Sequence, residues 1–242
     1  MVIRAVLFDW DGTIVREAAA TDGRPDLLAP SLNIAAYASR NLKTKLAAED
    51  FERAFQASLP ADEPGPTTRT VSIGEVLATA FTWLGIEAGA GDVDACARIF
   101  HEAGTRGQQV YDDAWVLLPT LKARGYRTAV VTNSIFTRDF VARKARELGL
   151  SGYFDAFVAS VDVGLAKPHP GLFHRALSEI AVDAHEALFV GDTVATDIVG
   201  ARAAGMRAVL IERSVRAHEA AGYLVIERLS GLNELLGDGP AG

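Results

Sequence analysis

Asp9 and Asp11 stand one residue apart in "VLFDWDGT", directly behind a run of apolar side chains and just before Gly12. An aliphatic strand has no packing reason to end on two acids. Further along, Thr132 and Asn133 follow "RTAVV", and Lys167 lies in "GLAKPHP", past "FDAFVAS". Asp192 follows "ALFV", with Asp197 five residues on. Carboxylates gathered in one place repel unless a cation or proton compensates them. Oxygen-only donors, without clustered His or Cys, favour a hard ion, and Mg²⁺ is the usual one at phosphate chemistry. Asp9 and Asp192 can each supply one oxygen, and the backbone carbonyl of Asp11 a third. The Lys167 ammonium and the Thr132 hydroxyl complete a site that suits a tetrahedral anion.

A carboxylate in such a site can attack a phosphoryl group to give an aspartyl-phosphate, provided cations neutralise the incoming charge. The leaving alkoxide then needs a proton, and the water that opens the acyl-phosphate must lose one. A second carboxylate two residues from the first can serve both steps. Gly12 permits a sharp turn that aims the amides of Trp10 and Asp11 at phosphoryl oxygens. One acid attacks and the other moves the proton.

These residues must be brought together by the elements that carry them. Residues 2–8 read as a strand buried on both faces. From about 115 onward, strands "YRTAVVTN", "FDAFVAS", "ALFVGD" and "MRAVLIE" alternate with helices "RDFVARKARELG", "PGLFHRALSEIA" and "DIVGARAAG". "GYLVIERL" is a further strand candidate. Strand–helix alternation with crossovers of this length implies a parallel sheet covered by helices. Its strands share a direction, so their carboxyl ends form one edge, where open α/β sheets bind ligands. Between the first strand and this run, "IAAYASRNLKTKLAAEDFERAFQASL", "VSIGEVLATAFTWLGI" and "DVDACARIFHEAG" have helical periodicity, with Asp92 as an N-cap of the last. "PADEPGPTT" is a loop. The expected architecture is therefore α/β: a doubly wound, Rossmann-like parallel sheet (1–14 and 113–242) with an inserted α-helical domain (15–112) above the strand ends.

Composition sets the outer limits. The chain has 242 residues, 49% of them hydrophobic, and a formal charge of −7. That allows a sizeable core and argues against a nucleic-acid surface, which needs concentrated Lys and Arg. No apolar run approaches the about 18 residues of a membrane span, and acids arrive too early for a signal peptide. Cys96 is the single cysteine, so a reducing, cytoplasmic setting is expected, with Cys96 a buried structural thiol. The "GDGPAG" tail is expected to fray.

The motifs "DWDGT", "VVTNS", the lysine of "AKPHP" and "GDTVATD" appear in the order found in the haloacid dehalogenase superfamily, and the sequence resembles its phosphatase members. The inserted segment lies where that family places a helical cap. The resemblance implies Asp9 as nucleophile and Asp11 as general acid/base. It implies Trp10 (through its amide), Thr132, Asn133 and Lys167 at the phosphate, and Asp9, Asp11 and Asp192 at magnesium. Asp197 then orients Lys167 or the metal's waters from behind. Dehalogenating members lack an acid two residues past the nucleophile, so Asp11 favours phosphate esters. A small phosphorylated metabolite is the implied substrate.

Each residue also has a plainer reading. Asp9 and Asp11 fit an Asx turn, and Thr132–Asn133 a cap for the helix near Thr137. Lys167 fits a solvated loop, and Asp197 an N-cap of "IVGARAAG". His169 is expected at a structural or rim position, with His101, His174, His185 and His218 as ordinary helix or loop residues. Trp83 and Phe81 are expected in a core. Arg16 and Glu17 read as a linker, while Arg40, Lys43, Lys45 and Arg69 are further cations able to meet an anion. Two other functions use the same residues. A phosphotransferase or mutase would pass the group to a sugar, and a non-enzymatic regulator would keep it as a signal, although Asp11 would shorten that signal's life.

Overall fold

The computed structural model describes residues 2–16, 27–59, 70–213 and 222–236. "PADEPGPTT", Glu17, Arg69, His218 and the "GDGPAG" tail lie outside these residues. Among the described residues, 2–16 and 109–236 belong to one compact unit, and 27–59 with 70–108 to another.

The strands are β1 (Ala5–Phe8), β2 (Val15–Arg16), β3 (Gln109–Val110), β4 (Arg127–Thr132), β5 (Ala156–Ala159), β6 (Ala187–Gly191), β7 (Arg207–Ile211) and β8 (Leu224–Ile226). Six of them form one sheet in the order β5-β4-β1-β6-β7-β8, and every neighbouring pair is parallel. β2 and β3 pair antiparallel as a short ribbon, which carries the first unit to Arg16 and resumes it at Gln109.

The segment between those strands folds as α1 (Leu28–Tyr37), α2 (Ala48–Ser58), α3 (Ile73–Trp83) and α4 (Ala90–Gly104) around Phe51, Phe55, Phe81 and Phe100. Phe55 stacks on Phe100 at 4.4 Å. Three expectations change here. The helical pattern over 34–59 breaks after a wide turn, Ala38–Leu42, at Lys43, whose φ is +53°. Asn41 Nδ2 and Lys43 Nζ donate to the carbonyls of Tyr37 and Arg40 there, closing the helix end with side chains. Asp92 is no N-cap. The helix starts earlier, and Asp92 accepts from the Gly89 N–H at 3.0 Å from inside the first turn. Trp83 is 72% exposed, because two residues past buried Phe81 is the opposite side of a helix.

The sheet is covered by α5 (Asp112–Ala123), α6 (Arg138–Glu147), α7 (Ser160–Val163), α8 (Pro170–Ile180), α9 (Val199–Ala203) and α10 (Leu232–Leu236). Alternation along β1 divides the core. Val6 and Phe8 join Leu117, Leu118 and Leu121, while Ala5 and Leu7 join Leu172, Phe173 and Leu177. Burial on both faces explains the unbroken apolar runs of the central strands. Register then sets the functional edge. Phe8 is level with both Val130 and Val190, so Asp9, Thr132 and Asp192 leave their strands at nearly one height.

Candidate active site

The site is built at that edge. Lys167 reaches it from the loop between α7 and α8, which begins at Gly164, and its Nζ lies 2.5 Å from Asp9 Oδ1 and 2.7 Å from Asp197 Oδ1. All three side chains are buried. An ammonium this deep is tolerable only because two carboxylates meet it, and they raise its pKa against the opposing effect of burial. The carboxylates are left in excess. Burial, and then the Asp197 charge, push Asp9 up to about 6 even though Lys167 pulls it down. Asp192, at the solvent-facing rim, is also raised, first by partial shielding from water and then by Asp197.

Oxygens of Asp9, Asp192 and Asp197 lie within 4.8 Å of one another. One ammonium faces three acids, an imbalance that a hard divalent ion relieves, so the donor set fits magnesium. Asp197 is the least available of the three. Besides Lys167 at Oδ1, its Oδ2 accepts from the Thr193 N–H at 3.0 Å. It sits inside a wide turn, Val194–Ile198, and bonds back to the chain before it, so it does not cap α9. Gly12 and Gly191 leave room for these acids. A Cβ on Gly12 (φ +75°) would collide with the Asp192 carboxylate, and one on Gly191 with that of Asp197.

The donors expected on the anion side also meet protein groups. The Trp10 amide lies close enough to the Asp9 carboxylate to lower its pKa. Its indole is buried against Phe154, the ring centroids 6.4 Å apart. The Asn133 side chain is committed to the lysine loop: Nδ2 donates to the Lys167 carbonyl at 3.0 Å, and the Lys167 N–H donates to Oδ1 at 2.7 Å. Thr132, buried at the end of β4, makes only a marginal 3.5 Å contact to the Asn133 carbonyl. Neither Thr132 nor Asn133 caps the next helix. The Arg138 N–H donates to Asp162 Oδ2 at 2.6 Å, so the cap comes from α7. Asp11 is exposed at the start of the turn that follows β1, where the Gly12 N–H donates to the Val15 carbonyl at 2.8 Å. His169 accepts from the Gly171 N–H at 3.0 Å as the cap of α8, a structural position. Arg16 is exposed and bonds Gln109 across the ribbon. His101 departs from an ordinary helix residue in being buried.

Two supporting residues carry no motif signal. Ser160 Oγ accepts from the Ser134 N–H at 3.0 Å and donates to the Ser134 carbonyl at 3.2 Å, fixing the loop after β4. Gly200 lets α9 approach the lysine loop, since a Cβ there would lie 2.8 Å from the Pro168 Cα. A small residue at a helix start was its only mark in the sequence.

The chain belongs to the haloacid dehalogenase-like hydrolases, whose family model matches residues 3–205. A phosphoglycolate phosphatase of Yersinia pestis is 32% identical over 208 residues, covering 84% of this chain and 78% of that protein. A phosphoserine phosphatase of Thermus thermophilus is 35% identical over 133 residues, 54% of this chain and 53% of that protein, so the match spans about half its length. Among solved structures, a haloacid dehalogenase-type phosphatase from Thermococcus onnurineus superimposes with a TM-score of 0.67 at 25% identity, covering 99% of this chain and 100% of that one. A 2-haloacid dehalogenase from Pseudomonas syringae does so with 0.72 at 26%, covering 97% and 98%. No described helix is long and apolar enough to cross a membrane.

Proposed function

We propose that the chain is a magnesium-dependent phosphomonoester hydrolase, acting on a small phosphorylated metabolite through phospho-Asp9. The observation that carries this reading is the ammonium of Lys167 held against Asp9 and Asp197 at the end of β1, with Asp11 two residues on. Overall likeness does not choose the chemistry, since a phosphatase and a dehalogenase both superimpose on the chain. Asp11 favours the phosphatase reading, because an alkoxide leaving group needs a proton and a departing halide does not.

The residues divide the work. Asp9 attacks phosphorus and needs its carboxylate ionised. Magnesium, held by Asp9, Asp192 and the Asp11 carbonyl, would lower the Asp9 pKa and neutralise the incoming phosphoryl oxygens. Thr132 and Lys167 bind those oxygens. Asp197 holds the Lys167 ammonium, and Asn133 holds its main chain, so both support the phosphate from behind. The Trp10 amide is a further donor to the phosphoryl oxygens. Asp11 protonates the leaving oxygen and then takes a proton from the water that opens phospho-Asp9. The inserted helical segment would select the substrate.

Released phosphate from a panel of phosphorylated metabolites, measured with and without magnesium for wild type and Asp9→Asn, tests the reading. Hydrolysis should require the metal and vanish in Asp9→Asn while circular dichroism is unchanged. Full activity in that variant would overturn it.

A further inference from the structure

We propose that Arg213, which belongs to none of the motifs, is a positioning residue for the turn that carries Asp11; this rests on the reading of Asp11 as the acid. Arg213 follows β7, and its guanidinium donates from Nε to the Gly12 carbonyl at 3.1 Å and from Nη2 to the Thr13 carbonyl at 2.6 Å. Its Nη1 donates to Asp113 at 3.2 and 3.0 Å, while Asp113 also accepts from the Leu229 N–H at 2.8 Å. The cation lies 3.5 Å from the centre of the Tyr111 ring.

The side chains of Arg213 and Asp113 are 16% and 13% exposed, so the pair is balanced and partly shielded from water. A planar fork fixes the direction of each donor, which a lysine ammonium cannot do. Gly12 and Thr13 are the two residues after Asp11, and the turn closes through Gly12 N–H to Val15 carbonyl at 2.8 Å and Ile14 N–H to Trp10 carbonyl at 2.9 Å. Those bonds fix the turn's shape. Arg213 fixes its place relative to β7 and α5. Movement is costly on the other side too, because Gly12 lies against the Asp192 carboxylate. Arg213 therefore acts on where Asp11 stands through the carbonyls of Gly12 and Thr13.

The leaving group separates this role from a merely structural one. An alkoxide needs the acid's proton badly, and an acidic phenol scarcely at all. The experiment compares kcat/KM for the best alkyl phosphate found for the wild type with that for 2,4-dinitrophenyl phosphate. It uses wild type, Asp11→Asn, Arg213→Met, Arg213→Lys and, as a control, Leu121→Ala in the core beneath α5. Asp11→Asn should lose about 100-fold more on the alkyl ester than on the aryl ester. Arg213→Met should show a gap of about tenfold in the same direction, and Arg213→Lys a smaller one. Leu121→Ala should lower both esters equally, if at all. Equal losses on both esters in Arg213→Met, or none, overturn the inference while leaving the Asp11 gap intact. Absence of the gap in Asp11→Asn overturns the acid reading and this inference with it. If neither Arg213 variant folds, Arg213 is a folding contact and the positioning role is overturned.

Discussion

At the amino-terminal end of the sheet, Asp155 precedes β5 and accepts from three donors. The Thr128 N–H and the Lys122 ammonium lie 2.8 and 2.9 Å from its oxygens, with Arg127 at 3.4 Å. At the carboxyl end, Asp9 follows β1 and shares one ammonium with Asp197. Burial raises both acids. At Asp155 the Thr128 N–H and the two cations overcome it and hold the pKa below the usual carboxylate range. At Asp9 burial prevails and the value reaches about 6. One end of the sheet spends its charges on stability. The other keeps an electrostatic deficit that a cation and a phosphoryl group can fill.

Lys167→Met tests the deficit most severely. It strands two buried carboxylates, so activity should fall by about a thousandfold or more and stability by about 3 kcal/mol, read from urea unfolding. Adding Asp9→Asn should return part of that stability by removing one stranded charge; a further loss would break the contrast between the two ends. Magnesium should next raise the melting temperature of the wild type, and Asp192→Asn should weaken the response about tenfold or more in the concentration required. An equal response in both proteins would place the ion elsewhere.

The opposite end should answer to pH and leave turnover alone. A folded pKa below the unfolded value near 3.8 gives stability that is present above that value and is lost as pH falls through the folded one. Asp155→Asn should therefore cost about 1 kcal/mol at pH 7, and the difference from wild type should shrink below about pH 4, with kcat unchanged. Urea midpoints at the two pH values decide it. The smallest effect is at Cys96, whose thiol is buried and pushed up to about 12 by that burial and by Asp92. Native protein should react negligibly with an aromatic disulfide at pH 8, and rapid modification would show that the helical unit opens readily.

The aspartates of the first strand, Thr132 and the later Gly-Asp turn were legible because each follows an apolar run that reads as a strand of a parallel sheet, and the lysine because "AKPHP" falls in its place in the family's order of motifs. Register then brought Asp9, Thr132 and Asp192 to nearly one height, which the shared strand direction alone had left open. The helical texture of the insertion was also readable. The break at Lys43 was not, because side chains of Asn41 and Lys43 close that helix end, and periodicity does not register such bonds. Trp83 was misplaced because aromatic character says nothing of which helix face a residue occupies.

Sequence by itself determined which residue types collect at the strand ends and in what order, since local patterning fixes strands and strand direction fixes their shared edge. Only the tertiary structure decided how those residues divide among themselves. The Asn133 side chain turned to the lysine's main chain, and Arg213 reached back to the first turn. Such partners lie from 34 to 201 residues apart along the chain, and hydrogen bonds are set by distance and direction in space, which neither spacing nor composition encodes.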